Sequence, residues 1–296
     1  MRITDRMRYE NPRMRILRLT NRQAQTTEEL STGKRLNRPS DDPLSALKAT
    51  IFESQGRRVQ QQKRNIDAAR NTLVISESVL GEASTTLLRV KELAIQSLSS
   101  VMSGTDRSFM GAEVSQLREH LRSIANTKSN HRYLFAGYQS DQPPYNAAGV
   151  FVGDTNFTEV EIGDGLRIEA TLAGGRPFGD GTANTVDTFQ VLTDLEAAIL
   201  AADENATQDA FEALESSIEQ IITSRQQLGV QLTKLSSAES INEYLQERIP
   251  QILSEQRDTD FAEAVSELTL VENSLQATLA ASSRMLNSSS LLDFLR

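Results

Sequence analysis

Apolar residues recur every seven positions from Val59 through Ile66, Leu73, Leu80, Leu87 and Ala94 to Val101. The positions three later include Ala69, Ser76, Ala83, Val90 and Ser97, so the pattern is a heptad seam with one small edge. Just upstream, Ser40-Asp41-Asp42-Pro43 reads as a helix start. Asp42 is the expected N-cap, and Pro43 at the first helical position has no N–H to leave unsatisfied. The spacing predicts a helix from residue 43 to about 101, roughly 85 to 90 Å long at 1.5 Å per residue, which suits a rod rather than a compact globule. Gly56 and Gly81 weaken it locally without ending it. Ser103-Gly104-Thr105-Asp106 is the next break, and Phe109, Val114, Leu117, Leu121 and Ile124 mark a second, antiparallel helix ending near Asn126 to Asn130. In the other half of the chain Leu214, Ile221, Leu228 and Leu235 again lie seven apart, with Phe211, Ile218 and Leu232 on the adjoining edge. Leu245, Ile249 and Ile252 continue the stripe toward an expected kink or break at Pro250. A last helix starts at Asp258-Thr259-Asp260, whose acids suit a helix N-terminus, and carries Phe261, Val265, Leu268, Leu275, Leu279 and Leu286.

Between these arms the period changes. No proline occurs between Pro43 and Pro143 or between Pro177 and Pro250, while nine of the fifteen glycines fall between Gly137 and Gly181. Val160 and Ile162 alternate with polar neighbours, Gly163-Asp164-Gly165 follows, and Leu166, Ile168, Ala170 and Leu172 alternate again, which is a hairpin signature. Eight of the fifteen aromatics lie between Tyr133 and Phe189, enough to give such an insert its own core. A short helix follows at about Thr188 to Ala202. The fold class expected is mainly α with a small β insert: a long antiparallel helical coiled-coil or bundle rod from both chain halves, plus an antiparallel β-domain. The boundaries fall at 1–42, a marginal N-terminal segment; 43–132, a helical arm; 133–186, the β-rich domain; 187–256, a second helical arm; and 257–296, the C-terminal segment.

Composition narrows the chemistry. The 296 residues include no cysteine, which removes disulfides, thiolate metal sites and Cys nucleophiles together. His120 and His131 are the two histidines, and neither is spaced for a helical metal pair; solvated or capping roles are expected, with no metal and no cofactor. Asp41 and Asp42 form a carboxylate pair, yet at a helix start they read as capping residues, and no phosphate-cradling glycine motif is present. No nucleophile, base and oxyanion donors converge, so an enzyme is the class least supported. The longest apolar run, Ala197 to Ala202, is far short of the roughly 20 residues that span a bilayer. The Arg-studded first 20 residues lack the apolar stretch of a cleavable signal peptide.

Charge is uneven along the chain. The formal charge is −9, yet residues 1–40 carry ten basic and four acidic side chains, leaving that stretch at +6 and the remainder at −15. The basic segment has three readings: a nucleic-acid or membrane tail, a solvated helix face, or an arm that pairs with acidic surfaces of other copies. Its apolar content, Leu17, Leu19, Ala24 and Leu30, is too low for a self-sufficient helix. The C-terminal Asn287-Ser288-Ser289-Ser290-Leu291-Leu292 is similarly weak, and chain ends of this kind commonly order on association.

The residues in this arrangement resemble the flagellin superfamily, and within it the hook-associated protein 3 family of hook–filament junction proteins. Three stretches carry the match: Leu30-Ser31-Thr32-Gly33-Lys34-Arg35-Leu36-Asn37-Arg38-Pro39-Ser40-Asp41-Asp42-Pro43; Tyr133-Leu134-Phe135-Ala136-Gly137-Tyr138 with Asp141-Gln142-Pro143-Pro144-Tyr145; and the tail from Asp258-Thr259-Asp260-Phe261 to Ser290-Leu291-Leu292-Asp293-Phe294-Leu295. The resemblance implies a structural role outside the cell. Such proteins are exported unfolded through the flagellar type III apparatus with an uncleaved signal, held beforehand by an export chaperone. They form a ring of copies between hook-associated protein 1 and the first flagellins. The β-domain is then the outer one, and the terminal segments, disordered in the monomer, order into a coiled coil on assembly. The expected partners are hook-associated protein 1, flagellin and other copies of the chain, with no nucleic acid and no membrane insertion. The expected assembly contacts are Leu30, Gly33, Leu36, Asn37, Asp41 and Asp42 at one end, and Phe261, Val265, Leu268, Leu275, Leu279, Leu291, Leu292 and Phe294 at the other. A short flagellin is the near alternative, and a binder of nucleic acid or anionic surfaces the distant one.

Overall fold

A computed structural model describes residues 5–98, 103–182 and 184–294, and the side chains of residues 10–284 within them. Among the described residues the order is α1 (Asp5–Thr32), α2 (Pro43–Ser97), α3 (Gly104–Ala125), β1 (Lys128–Ser129), β2 (Arg132–Tyr133), β3 (Glu159–Gly163), β4 (Leu166–Glu169), α4 (Thr188–Ala201), α5 (Glu204–Arg257) and α6 (Phe261–Phe294). The chain is mainly helical with small antiparallel strand pairs. It divides into two compact units, Met1–Arg58 with Leu245–Arg296, and Val59–Tyr244.

In the unit Val59–Tyr244 the heptad positions form the core. Val59, Ile66, Leu73, Leu80, Leu87 and Ala94 of α2 are buried, as are Leu214, Ile221, Leu228 and Leu235 of α5. Val101, the last expected seam position, lies outside the described residues. The small edge is buried too, through Ala69, Ser76, Ala83 and Ser97 on α2 and Ala210, Ser217, Ser224 and Ala238 on α5. A stripe repeating every 3.5 residues keeps one side of a helix apolar, and each large side chain taken from water contributes roughly 1.5–3 kcal/mol.

Polar partners along the two helices fix their direction. Asn242 Nδ2 donates to the Val59 carbonyl at 2.9 Å, Lys63 meets Glu239 at 2.9 Å, Arg225 meets Glu77 at 2.7 Å and Lys91 meets Glu215 at 2.7 Å. Partner numbers on α5 fall as those on α2 rise, so the helices are antiparallel. The second predicted helix follows the same rule: α3 pairs back onto α2 through Arg89 with Glu113 at 2.8 Å and His120 with Glu82 at 3.3 Å. It opens with the capping box of Ser103 and Asp106. Against α4 it packs closely at Gly111, where a Cβ would come within 2.9 Å of Leu200 Cδ2.

Two expectations are corrected. The break expected at Pro250 does not occur, because α5 runs unbroken from Glu204 through Pro250 to Arg257. Pro250 is exposed and costs one rung of a 54-residue ladder, while its neighbour Ile249 is buried. The β insert also holds fewer strand residues than its length implies. The predicted hairpin forms with Val160 opposite Ile168 and Glu161 opposite Arg167, and Asp164-Gly165 lies at its turn with Gly165 at φ +74°. It lies along α2, where Asn65 donates to the Glu161 carbonyl at 2.8 Å and Gln62 to Asp164 at 3.2 Å. A second hairpin, β1–β2, turns through Asn130 and His131, both at positive φ, the type I′ geometry.

The centre of the insert is aromatic rather than sheet. Tyr145, Phe135 and Phe178 are buried, with the Tyr145 ring 4.9 Å from Phe189 and 5.4 Å from Phe151. The Tyr145 hydroxyl donates to the Gly179 carbonyl at 2.9 Å and lies 3.2 Å from that of Gly175. Asn126, the C-cap of α3, grips the same residue from behind: its amide donates to the Tyr145 carbonyl and accepts from the Tyr145 N–H, both at 3.0 Å.

Candidate assembly interface

The unit Met1–Arg58 with Leu245–Arg296 holds most of the residues expected to drive assembly. Its first feature is a clamp between the loop after α1 and the turn between α5 and α6. α1 ends at Gly33, whose φ of +69° is the left-handed conformation that stops a helix. Space alone would admit a side chain there, since a Cβ would sit an ordinary 3.6 Å from the Phe261 ring; the backbone conformation selects glycine. The Gly33 carbonyl then accepts from Thr259 N at 3.1 Å, Lys34 bridges to Asp258, and the N–H groups of Arg35 and Leu36 converge on the Arg257 carbonyl at 2.8 and 3.3 Å.

The rest of the loop is a chain of local caps. Asn37 Nδ2 donates to the Lys34 carbonyl at 3.1 Å, and Asp41 accepts from Arg38 N at 2.8 Å. Asp42 accepts from Leu44 N and Ser45 N, both at 3.1 Å, and so caps α2 as its position before Pro43 predicts. Hydrogen bonds from Ser45 and Leu44 hold its carboxyl below the usual carboxylate range. Both carboxylates of the Asp41-Asp42 pair are thus engaged by backbone N–H groups. Arg257 completes the clamp by pairing with Glu53 of α2 at 2.8 Å.

The second feature is the packing of α1 on α6. The helices run antiparallel, with Gly33 beside Phe261, Arg22 paired to Glu267 and Gln23 donating to Glu272 at 3.4 Å. Thr26 on α1 and Ala264 and Val271 on α6 are buried between them. Ile16, Leu19, Gln23 and Leu30 on α1, and Leu268 and Leu275 on α6, are half-buried on the same seam.

The expected contacts therefore fall into separate groups. Leu30, Leu268 and Leu275 belong to the seam inside the chain. Gly33, Leu36, Asn37, Asp41 and Asp42 build the clamp. Phe261, Val265 and Leu279 are 57%, 53% and 49% exposed and form a largely open stripe along one flank of α6. The side chains of Leu291, Leu292 and Phe294 lie outside the described residues.

Sequence reasoning passed over a further exposed set. Leu44, Leu47 and Ile51 at the start of α2 are each more than half exposed, as are Leu270 on α6 and Met14 on α1. The signal was present in the spacing: Leu44 and Ile51 each fall one residue before a position of the seam register traced back from Val59, so they point away from the seam. Among the described residues no cluster of His, Cys, Asp and Glu fits a metal ion, and no helix is long and apolar enough to cross a membrane.

Comparison with known proteins agrees with this layout. Residues 3–140 match the family model of the bacterial flagellin N-terminal helical region. Over 306 aligned residues the chain is 27% identical to flagellar hook-associated protein 3 of Escherichia coli, covering 95% of this chain and 96% of that one. Crystal structures with the same fold include FlgL of Xanthomonas campestris, with TM-score 0.62, 20% identity, 69% of this chain and 99% of that one. The flagellar junction protein FlgL of Legionella pneumophila matches with TM-score 0.59, 17% identity, 71% of this chain and all of that one. The chain is thus similar to the flagellin N-terminal helical region over residues 3–140 and to hook-associated protein 3 along almost its whole length.

Proposed function

We propose that the chain is a structural subunit of the bacterial flagellum that forms the junction ring connecting the hook, through hook-associated protein 1, to the flagellin filament. The observation that carries this reading is the near end-to-end similarity to hook-associated protein 3. In it, α2, α3 and α5 are the coiled-coil or bundle rod, residues 133–186 the outer β-domain, and residues 1–42 and 257–296 the assembly segments. The exposed stripe of Phe261, Val265 and Leu279 is the kind of surface that association buries, and each side chain taken from water adds roughly 1.5–3 kcal/mol. Leu291, Leu292 and Phe294 are assigned the same role of assembly contacts near the C-terminus. Leu30, Leu268 and Leu275 hold the two segments together, and Gly33, Leu36, Asn37, Asp41 and Asp42 hold that pair to the start of α2. The work is mechanical and involves no catalysis.

In this reading the chain leaves the cell unfolded through the type III apparatus, with an uncleaved N-terminal signal and an export chaperone to hold it beforehand. A cysteine-free sequence suits that route, because no disulfide can form in transit. A short flagellin is the alternative, favoured by the family model, which describes flagellin. Deleting the gene in its source bacterium separates the two. Hooks without filaments, with flagellin in the medium, are expected of a junction protein; intact filaments on normal hooks would refute it, and a long filament grown from the purified chain would establish a flagellin.

A further inference from the structure

Residues 11–27 carry four arginines and no acid, whereas residues 239–255, a stretch of the same length, carry four glutamates and one arginine. The first stretch lies in α1 and the second in α5. On α1 the seam residues Ile16, Leu19, Gln23 and Thr26 face α6, and on the opposite side Met14 and Leu17 are 52% and 49% exposed. Arg13 and Arg18 flank them and are exposed, with no acid paired to either among the described residues; Arg22, further along, pairs with Glu267. On α5, Ile241 and Tyr244 have the same spacing of three and are 60% and 64% exposed. Glu243 and Glu247 are exposed beside them, while Glu239 is taken up by Lys63 and Arg70, and Arg248 donates to Gln251.

We infer that the Met14–Leu17 face of one copy docks on the Ile241–Tyr244 face of a second copy, with Arg13 and Arg18 opposite Glu243 and Glu247. The occupant follows from complementarity. Each face is an apolar pair at one helical turn's spacing; Arg13 and Arg18 edge the first, while Glu243 and Glu247 edge one side of the second, where Arg248 is drawn toward Gln251. Like charge keeps the all-basic Met14–Leu17 face from meeting itself, so it needs the acidic edge of Glu243 and Glu247 and the contact is head-to-tail; a contact between two different faces leaves one of each free and propagates into a ring or chain of copies. This deepens the reading of the chain as an assembling subunit and rests on it.

The absence of cysteine makes the test clean. Flagella are isolated from cells whose sole copy carries Met14→Cys and Tyr244→Cys, and treated with a short bismaleimide. The inference expects a ladder of oligomers on a denaturing gel, with neither single-cysteine chain cross-linking to itself. Arg13→Glu with Arg18→Glu is expected to lower the ladder about tenfold per incorporated chain, since charge complementarity sets partner choice. Adding Glu243→Lys and Glu247→Lys to the same chain is expected to restore it. No ladder from incorporated double-cysteine chain, a ladder indifferent to charge reversal, or reversal without rescue overturns the contact. If the wild-type chain is missing from isolated flagella before any cross-linker is added, the functional reading falls instead.

Discussion

Removing one oxygen atom, by Tyr145→Phe, tests whether the insert is held as described. Tyr145 is 1% exposed, and the substitution leaves its ring contacts in place. The two acceptors it leaves behind are unequal. The Gly175 carbonyl still accepts from Gly179 N at 2.8 Å, but the Gly179 carbonyl loses the hydroxyl at 2.9 Å. A lost buried hydrogen bond together with a stranded buried acceptor costs about 2 kcal/mol. With a urea dependence of about 2 kcal/mol per molar, the unfolding midpoint of the insert drops by roughly 1 M. Near-ultraviolet circular dichroism reads it directly, because the chain has five tyrosines and no tryptophan. A second signature comes from titration. Burial, and then the negative charges of Asp187 and Asp180, push the Tyr145 hydroxyl well above its ordinary range. A folded pKa raised above the unfolded one gives stability that is complete below pH of about 10 and is lost as pH rises beyond it. The wild type is therefore expected to weaken in alkali by one proton more than Tyr145→Phe. A midpoint shift under about 0.3 M, or identical alkaline slopes, would show that the hydroxyl does not hold the insert.

Other outcomes can be checked in the same chain. Ala202, the C-cap of α4, has φ +57°, so Ala202→Gly relieves left-handed strain against a looser unfolded chain and should gain about 0.5–1 kcal/mol in urea unfolding. Leu80→Ala opens a cavity at a fully buried seam position and should cost about 3 kcal/mol by the same measurement. Leu279→Asp should leave helix content unchanged yet block incorporation into flagella, whereas Leu275→Asp should also loosen α1 from α6, seen as faster amide exchange in α1. Asp42, Asp154 and Asp180 are all held below the usual carboxylate range, the last two against the opposing effect of burial, by N–H and hydroxyl donors. Their contribution is present above the ordinary carboxylate pKa and is lost as pH falls through the lowered ones, so amide protection at residues 42–45 and 154–156 should fall in acid before that of the α2–α5 seam.

The parts legible in the sequence are those where one physical cause acts alone. A heptad stripe can be buried only one way, and every described seam position from Val59 to Ala94 is buried. Caps are equally local: Asp42 before Pro43, Ser103 with Asp106 and Asp260 before α6 each bond the N–H groups their spacing predicts. Where two causes compete, the period is not enough. Pro250 opposes the helix while Ile249 anchors it, and burial wins. Asn130-His131 lacks the glycine that flags a type I′ turn, so β1–β2 was hidden among polar residues. The insert's centre was visible only as a density of aromatics, because Tyr145 reaches the Gly179 carbonyl 34 residues away.

The candidate interface shows the same limit more sharply. Phe261, Val265, Leu268, Leu275 and Leu279 read as one apolar stripe, since all lie within about 80° of one another around α6 at 100° per residue. What separates them is the position of α1. With Val271 and Ala264 at the centre of the seam, Leu268 and Leu275 sit at its edge and are half-buried, while Phe261, Val265 and Leu279 fall just beyond the reach of α1. One helix thus divides an apolar arc between its own partner and open surface. The clamp at Gly33 and Arg257 fixes where that division falls, because it sets the register at which α1 meets α6. A shift by one residue would turn the seam about 100° around α6, exposing Val271 and covering Val265. Residues 33–42 therefore decide which apolar side chains of α6 stay exposed, and in the proposed function that is how they act on assembly, even though their own polar groups are engaged within the molecule.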